Sequence, residues 1–528
     1  MKKLYAGGPV LTMGEPFCSE AVLTEGGRIL RVGKEAALRA AAPEAEEVRL
    51  EGRTLMPAFV DSHSHFAACA HAMLQCSVAE ERDFDGISAR LRRYIREKGI
   101  KPGEWVAARD LDPARLREKR LPDRRLLDEA APENPVILQH RSGHSGVLST
   151  LALKSAGITS ETPDPEGGRI ERENGRLTGR LEEAAFLRAV RALPRPSVEE
   201  LVRACGEAQR LYASFGIATV QEGLLTPEML PLYRELLDRK ALRLDAAAYA
   251  DPWEGREAAE AFPQCVGRYW RRFKLGGYKI FLDGSPQSRT AWMREPYPGG
   301  DYRGYPALPD AQVEEAVEIA LAEGRQLLAH CNGDAAAEQF LRALEKAKAA
   351  GQDTAAIRPV MIHAQLVGKD QLARFGPLGL IPSFFAAHVY HWGGAHLEIF
   401  GPERAAGISP AASAGRLGLP YTLHQDAPVI PPDMMETVWC AVNRVTREGV
   451  CLGPEERISV KDALCAVTVH AARQCFEEGE KGSLEPGKRA DLVILDRNPL
   501  EVPPMELNRI RVLETVKDGE TVYRRDSQ

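Results

Sequence analysis

Eight short apolar runs that end in polar side chains alternate with helical segments along this chain. The segments between several of them, such as 313–323 and 335–350, are rich in Ala, Glu, Leu and Lys, as expected for crossover helices. Strands that alternate with helices form parallel sheets, and eight such strands predict an α/β fold of the (β/α)8 TIM-barrel type. The predicted strands span residues 55–65, 216–223, 242–250, 278–284, 325–334, 359–367, 379–388 and 420–428.

The 528 residues exceed what one hydrophobic core usually supports, so we expect additions to the barrel of residues 55–483. Residues 84–214 are too long for one crossover and contain an apolar strand at 134–139, which predicts an inserted subdomain after the first barrel strand. Short alternating strands occur at both chain ends. They predict one small β-sandwich-like domain built from residues 1–54 and 484–528.

Composition and charge are those of an ordinary globular protein. The chain is 44% apolar, and its 69 Lys and Arg against 75 Asp and Glu give a formal net charge of −6, which offers no positive field for nucleic acid. The cysteines form no CxxC pair, and neither an export signal nor a long apolar run is evident. We expect a cytoplasmic protein with no membrane partner that acts on a small molecule, as a monomer or a homo-oligomer.

The strongest local signal is the segment Val-Asp-Ser-His-Ser-His, residues 60–65, at the end of the first predicted strand. Because side chains alternate along a strand, His63 and His65 face the same way, into the barrel mouth, where they could share one divalent cation. Taken alone the pattern is weak. Two polar residues satisfied at a strand end are the other interpretation.

Further candidate ligands end later predicted strands, each after an apolar run. Because the carboxyl ends of barrel strands converge on one mouth, we expect these side chains to meet the two histidines there. The set predicts a metal site, with unrelated buried polar residues as the alternative. The additional candidates are Lys279, His330, His363 and Asp426.

The order HxH, Lys, His, His, Asp resembles the amidohydrolase superfamily of metal-dependent hydrolases over nearly the whole chain. The tail 482–495, Gly-Ser-Leu-Glu-Pro-Gly-Lys-Arg-Ala-Asp-Leu-Val-Ile-Leu, looks like that superfamily's return into its small β-domain. Three segments are similar to the subgroup that contains N-substituted formamide deformylase: Lys-Ile-Phe-Leu-Asp-Gly-Ser at 279–285, Gly-Arg-Leu-Glu-Glu-Ala at 179–184 and Ser-Gly-His at 142–144.

Three positions depart from the usual pattern of that subgroup. Ser142 stands where an Asp commonly precedes the Gly-His pair, Ser149 where an Asn is common, and Gln425 where a Ser often precedes the last Asp. These departures bear on the identity of the substrate. The candidate metal ligands all match the pattern.

The resemblance implies one or two divalent ions, with zinc as the expected metal, and a special role for Lys279. In many members the equivalent lysine reacts with carbon dioxide to form a carbamate, N6-carboxylysine, whose oxygens can bridge two metals. A neutral lysine beside one metal, and an ammonium paired with Asp283 or Glu222, are the alternatives. Glu222, at the end of strand two, is either an extra ligand, a partner of a ligand, or a salt-bridge residue.

The expected chemistry is hydrolysis of a C–N bond in an amide, an N-formyl amine or an N-acyl amine. A zinc-like ion lowers the pKa of bound water from 15.7 toward ~7, and Asp426 would accept the water's proton and return it to the departing nitrogen. Deamination of a ring amine and a non-catalytic regulatory or binding barrel are the alternatives. Lys279 favours the amide hydrolase, because deaminase barrels usually work with one metal and no lysine ligand.

Four other residues are candidate substrate contacts. His388 and His391 follow the seventh strand and Arg289 follows the fourth, where barrel loops normally meet substrate. His144 belongs to the predicted insert and could reach over the mouth as part of a lid. Capping or surface histidines and a loop salt bridge are equally common interpretations of these residues.

Overall fold

The computed structural model describes residues 1–141, 143–191 and 193–526. The chain divides into two compact units, one of residues 1–69 and 205–528 and one of residues 70–204. The second unit begins and ends earlier in the chain than the predicted insert of 84–214, and the assignment of that segment as an inserted subdomain stays a prediction. Among the helices that the structure describes, none is both long and apolar enough to cross a membrane.

Short strands fill the amino-terminal part of the first unit. Four of them form one sheet, in the order β5-β4-β1-β6. The helix α1 (Glu35–Ala41) lies between β5 and β6 in the sequence. Buried side chains such as Tyr5, Val22 and Ile29 form its core. The strands are β1 (Lys2–Ala6), β2 (Val10–Leu11), β3 (Cys18–Ser19), β4 (Ala21–Glu25), β5 (Arg28–Gly33), β6 (Glu46–Arg49), β7 (Thr54–Pro57) and β8 (Phe59–Val60).

The second unit contains a six-stranded mixed sheet in the order β13-β14-β12-β11-β10-β9. Its strands are β9 (Cys76–Ser77), β10 (Val106–Leu111), β11 (Val136–His140), β12 (Ser145–Leu148), β13 (Gly168–Glu173) and β14 (Arg176–Glu183). The helices over this stretch are α2 (Phe66–Met73), α3 (Phe84–Lys98), α4 (Arg124–Ala130), α5 (Thr150–Ser155), α6 (Ala184–Arg191) and α7 (Val198–Ser214). Asp83 caps the amino end of α3, and Gly99 ends it at a left-handed φ of 63° that favours glycine.

All eight strands predicted from the apolar runs are present, in one parallel sheet of the first unit. Its order, β8-β15-β16-β17-β18-β19-β20-β21, is the order of the strands along the chain. Every residue of β16 is buried, as in a parallel sheet covered on both faces, which explains why these strands are continuous apolar runs in the sequence. Besides β8 they are β15 (Ile217–Leu225), β16 (Asp245–Ala250), β17 (Phe273–Phe281), β18 (Gln326–Cys331), β19 (Val360–His363), β20 (Ile381–Phe384) and β21 (Thr422–Leu423).

The sheet curls so that its first and last strands approach each other, which makes the fold TIM-barrel-like. Ser62 Oγ, just after β8, donates a hydrogen bond of 3.0 Å to the Leu423 carbonyl of β21. His65 N donates one of 2.8 Å to the Ala427 carbonyl. Helices α8 (Leu230–Asp238), α9 (Gly255–Ala261), α10 (Asp310–Ala322), α11 (Asp334–Ala349), α12 (Lys369–Leu372), α13 (Phe375–Leu378), α14 (His388–Ala406), α15 (Ala411–Arg416), α16 (Met434–Asn443), α17 (Val460–Ala466) and α18 (Val469–Gln474) connect or follow the strands.

The two ends of the chain share a further sheet. Its strand order is β24-β23-β22-β7-β2-β3, where β22 (Leu492–Leu495), β23 (Val512–Lys517) and β24 (Glu520–Arg524) come from the carboxyl end. Strand β22 pairs antiparallel with β7, with Leu492 opposite Pro57. The description of both ends as one sandwich-like domain stays a prediction.

Candidate metal centre

The six residues predicted as ligands lie at the carboxyl ends of five strands of the large sheet. His63 and His65 follow β8, Lys279 lies near the end of β17, and His330 lies near the end of β18. His363 ends β19, and Asp426 follows β21. Parallel strands have their carboxyl ends at the same end of the sheet. The prediction of the strands from their apolar runs was therefore enough to predict that these side chains lie at one end.

The two histidines of the first strand meet Asp426. The distance from His63 Nε2 to Asp426 Oδ1 is 3.4 Å, and from His65 Nε2 to the same oxygen it is 3.5 Å. The candidate ligand atoms of these three residues all lie within 4.8 Å of one another. His363 Nε2 lies 4.0 Å from the other oxygen, Asp426 Oδ2. This grouping has the residue types and the spacing that a divalent ion requires.

Lys279 and Asp426 are buried together without a direct hydrogen bond between them in the described contacts. Lys279 Nζ lies 3.4 Å from His63 Nε2 and 5.2 Å from the centre of the Phe281 ring. Burial lowers the pKa of Lys279 to about 7, although the charge of Asp426 opposes this shift. Burial likewise raises the pKa of Asp426 to about 7, opposed by Lys279. A pKa near 7 leaves each group in both its charged and its neutral form at physiological pH.

The imidazoles of the site are neutral. Burial, followed by the charge of Lys279, lowers the pKa of His65 to about 4 and that of His330 to about 3. The same two causes hold the pKa of His63 well below its usual value. Burial and the neighbouring histidines do the same for His363. A neutral imidazole keeps one lone pair free, which is the form that binds a metal.

Gln221 orients His63. The Gln221 amide donates from Nε2 to the Ser62 carbonyl at 2.8 Å, so its Oε1 faces His63 Nδ1, at 2.7 Å. An oxygen there requires that Nδ1 carry the proton, which leaves the lone pair on Nε2, the atom that faces Asp426 and Lys279. Sequence reasoning missed Gln221, although it immediately precedes the candidate Glu222 on β15.

His424 was also missed. It is fully buried, and its Nε2 lies 3.1 Å from His363 Nδ1 while its Nδ1 lies 2.9 Å from Ser383 Oγ. His363 Nε2 in turn lies 3.1 Å from His330 Nδ1. A signal was available, because His424 and Asp426 follow the same two-residue spacing as His63 and His65.

The backbone at two of the candidate ligands has an unusual conformation. His363 has a φ of +70° and Asp426 a φ of +56°, both in the left-handed region. For residues other than glycine this costs on the order of 1–2 kcal/mol and is concentrated at functional sites. The two turns direct these side chains out of the ends of their strands.

Glu222 and Asp283 make contacts other than an ion pair with Lys279. Glu222 Oε2 accepts hydrogen bonds from Ala67 N at 2.7 Å and from the Tyr233 hydroxyl at 2.6 Å. Burial raises the pKa of Glu222 to about 7. Asp283 accepts three backbone N–H groups of the loops that follow β17 and β18, those of Trp292, Asn332 and Gly333.

The predicted substrate contacts lie in different environments. His388 is buried, with its ring centre 4.1 Å from that of Phe385 and 6.0 Å from that of His363. His391 Nε2 lies 2.8 Å from Glu436 Oε1, and its Nδ1 accepts from Arg447 at 2.8 Å. Arg289 is exposed in the loop after β17.

The remaining predicted substrate contact, His144, and the described positions that depart from the subgroup's usual pattern also lie in different environments. His144, in the second unit, is exposed, and its Nδ1 lies 3.1 Å from Glu183 Oε2. Ser142 lies outside the described residues. Ser149 caps α5 by accepting from Ala152 N. Gln425 is buried next to Asp426.

The donor set fits a divalent metal ion. Asp426 Oδ1 is a buried acceptor with no hydrogen-bond partner among the described residues, and it lies beside Nε2 of both His63 and His65. A buried oxygen without a partner is costly, and a cation shared with the neutral imidazoles would satisfy it. Nitrogen ligands with one carboxylate are typical of zinc.

Comparisons with known proteins show the class of the fold and the family. The structure of an uncharacterized metal-dependent hydrolase from Pyrococcus furiosus superposes with a TM-score of 0.76 at 24% identity, over 95% of this chain and 100% of that one. The model of the amidohydrolase family matches residues 46–523, and this chain belongs to that family. A model of the bacterial imidazolonepropionase-like composite domain matches residues 21–45.

Two relatives of known or suggested activity match over nearly their whole length. N-substituted formamide deformylase of Arthrobacter pascens is 30% identical over 527 residues, which covers 96% of this chain and 95% of that protein. A putative amidohydrolase of Bacillus subtilis (strain 168) is 27% identical over 542 residues and covers 99% of each.

Proposed function

We propose that this protein is a metal-dependent hydrolase that cleaves the C–N bond of an amide, an N-formyl amine or an N-acyl amine. The observation that carries the proposal is the unpartnered buried oxygen of Asp426 beside neutral His63 and His65. Membership of the amidohydrolase family and the similarity to a relative named as acting on N-substituted formamides support this substrate class.

The proposed ligands are His63, His65, Lys279, His330, His363 and Asp426, with Glu222 as an additional ligand or as a support of His65. A divalent ion, zinc in this proposal, supplies Lewis acidity that makes water more acidic and polarises a carbonyl oxygen. Gln221 keeps the lone pair of His63 on Nε2, the atom that faces the other ligands.

Asp426 moves the proton in this proposal. Its carboxylate takes a proton from the attacking water and returns it to the departing nitrogen, so that an amide and water give a carboxylic acid and an amine. The left-handed backbone conformation of Asp426, with its positive φ, sets the direction of the side chain relative to the histidines.

We further propose that Lys279 is carboxylated. Burial lowers its pKa to about 7, so that part of the population is the neutral amine, which adds carbon dioxide and releases one proton to form the carbamate. Lys279→Ala is then expected to lose metal and to recover some activity with added short carboxylates. Unmodified Nζ in metal-loaded protein, detected by intact-mass or crystallographic measurement, would instead indicate a neutral lysine beside one metal.

The candidate substrate contacts are His388, His391, Arg289 and His144. His388 has the strongest support, because it is buried near His363 and its Nδ1 has no partner among the described residues. His391 is hydrogen-bonded to Glu436 and Arg447, so we propose that it holds the start of α14 against α16 and the segment that follows α16. Arg289 is exposed, and we propose that it contacts the substrate; a substrate contact of His144 stays a prediction.

The test combines elemental analysis of the purified protein with a screen of N-formyl and N-acyl amines. The expected result is one or two equivalents of a divalent metal and release of an amine that disappears after chelation. Release of ammonia from a ring amine, with no amide cleavage, would support deamination. Metal binding without turnover of any compound would support the non-catalytic alternative.

A further inference from the structure

His424 contacts a candidate ligand from behind. Its Nε2 lies 3.1 Å from His363 Nδ1, the ring nitrogen opposite the Nε2 that faces Asp426. Its own Nδ1 lies 2.9 Å from Ser383 Oγ on β20. All three side chains are buried, with His424 and Ser383 fully inaccessible. Both ring nitrogens of His424 are thus used within the protein.

The number of protons on His363, His424 and Ser383 limits the directions that their hydrogen bonds can take. A neutral imidazole carries one N–H, so if His363 offers the Nε2 lone pair to a metal, its proton is on Nδ1 and is donated to His424 Nε2. His424 must then carry its own proton on Nδ1, where Ser383 Oγ can accept it. Every buried nitrogen of these groups is satisfied in this arrangement.

The opposite direction of the same bonds blocks metal binding. If the Ser383 hydroxyl donates to His424 Nδ1, then His424 donates to His363 Nδ1 and the proton of His363 is on Nε2. That nitrogen lies 3.1 Å from His330 Nδ1, to which it would donate. His363 would then have no free lone pair on Nε2 to offer to a metal.

We propose that His424, supported by Ser383, is a positioning residue that holds His363 in the tautomer that binds metal. The inference rests on the proposed function, because it assumes that His363 is a ligand. It is analogous to the contact of Gln221 with His63, but His424 acts on a different strand and through a different chemical group. Outer partners of ligating histidines typically change metal affinity about 10- to 100-fold when removed.

The test measures metal affinity rather than activity. Metal-free wild-type protein, His424→Leu, His424→Gln and Ser383→Ala are titrated with Zn²⁺ against a chelator, and with Co²⁺ while the visible spectrum is recorded. His424→Leu is expected to bind Zn²⁺ about 10- to 100-fold more weakly and to shift the Co²⁺ bands. His424→Gln should recover most of the affinity, because its amide oxygen can accept from His363 Nδ1. Ser383→Ala should fall between wild type and His424→Leu.

His470→Leu is the matched control. His470 is a half-buried histidine of α18 whose Nδ1 lies 3.2 Å from the Tyr421 carbonyl. The His470→Leu variant should bind Zn²⁺ and Co²⁺ with wild-type affinity. Wild-type affinity in both His424→Leu and Ser383→Ala would overturn the inference and leave the proposed function standing. Equal losses in His424→Leu and His424→Gln would also overturn it, because a purely steric role predicts no rescue. Absence of metal binding by the wild-type protein would overturn the proposed function itself.

Discussion

Strand β17 carries one buried lysine near its amino end, Lys274, and another near its carboxyl end, Lys279. Lys274 Nζ forms an ion pair with Glu477 and donates to the Cys475 carbonyl at 2.9 Å. Lys279 Nζ has imidazole and aromatic neighbours instead, with His63 Nε2 at 3.4 Å. Two equally buried lysines on one strand therefore lie in opposite electrostatic surroundings.

The region around Lys274 is a network of paired charges. Asp245 Oδ2 lies 2.6 Å from Lys481 Nζ and 2.8 Å from Lys517 Nζ, and Lys517 Nζ lies 2.7 Å from Asp491 Oδ2. Burial alone would raise the pKa of Asp245, but Lys481 and Lys517 more than offset this and hold it well below its usual value.

At the candidate metal centre the balance is the reverse. Burial is the largest cause of the pKa shift of both Lys279 and Asp426. The charge of each group opposes the shift of the other but does not return its pKa to the usual value. The comparison shows that buried lysines around Lys274 are paired with carboxylates, which stabilises the fold there. At the carboxyl ends of the strands the fold leaves Asp426 Oδ1 without a hydrogen-bond partner among the described residues, and a metal ion would satisfy that oxygen.

The largest effect is expected at the candidate metal centre. His63→Ala should release at least one metal ion and abolish hydrolysis, because it removes a proposed ligand at the centre of the group. The variant should still fold, but its metal-free form should unfold at a lower denaturant midpoint than the metal-free wild type, because it gains a cavity and loses the contact of His63 with Gln221. Metal content by elemental analysis is the measurement. Full retention of metal would rule out His63 as a ligand.

Asp426→Asn tests the carboxylate of the same cluster. Asparagine keeps the size and one acceptor oxygen but cannot take a proton at neutral pH, so turnover should fall about 10²- to 10⁴-fold. The parameters kcat and kcat/KM should fall together, because the interaction belongs to the transition state. Steady-state kinetics on the substrate found by the screen provide the test. A near-normal kcat would assign the base to another group, with His388 as the next candidate.

Methionine at each lysine of β17 compares the two ends directly. Lys274→Met removes one of the two lysines that pair with the buried Glu477 carboxylate, with Lys481 remaining, and should cost about 1–3 kcal/mol in the free energy of unfolding. Lys279→Met removes an ammonium whose burial is not compensated, so the metal-free protein should lose less than about 1 kcal/mol or gain stability. Urea unfolding of both metal-free variants measures the difference. Similar losses in the two variants would remove the contrast between the two ends.

The smallest effect is the acid dependence of the paired network. Burial would raise the pKa of Glu477, but Lys481 and Lys274 outweigh it and lower the value to about 2. Because the folded pKa is below the unfolded value of about 4.3, the pairing stabilises the fold fully above about pH 5 and is lost as the pH falls toward 2. The stability gap between wild type and Glu477→Gln should therefore narrow on acidification. A gap that is constant from about pH 7 to about pH 3 would contradict this.

The sequence was sufficient to predict the eight strands and the convergence of residues at their ends. Strands buried on both faces are continuous apolar runs, and parallel topology then brings residues such as His63 and His363 to one face. Whether these residues bind metal stays a prediction. The contacts among site residues were a harder problem, because Gln221 and His424 are identified by the atoms they face and not by a local pattern.

The charge network was not predictable from the sequence either. Lys274 and Glu477 are far apart along the chain, and neither interrupts a motif that marks it as buried. Periodicity indicates which residues are apolar and on which face, but the choice of a long-range partner for a charged side chain depends on the assembled fold. The same reason explains why the substrate contacts of the loops, such as Arg289, could be named only as candidates.

The pairing of β7 with β22 has a consequence for the synthesis of this protein on the ribosome. Leu492 pairs with Pro57, so all eight strands of the large sheet are translated between the two halves of this contact. Until β22 leaves the ribosome, β7 exposes an unpaired edge with four apolar or hydroxyl side chains that are buried in the finished protein. A nascent chain stalled before residue 492 would therefore present a site for aggregation or chaperone binding that the finished protein lacks.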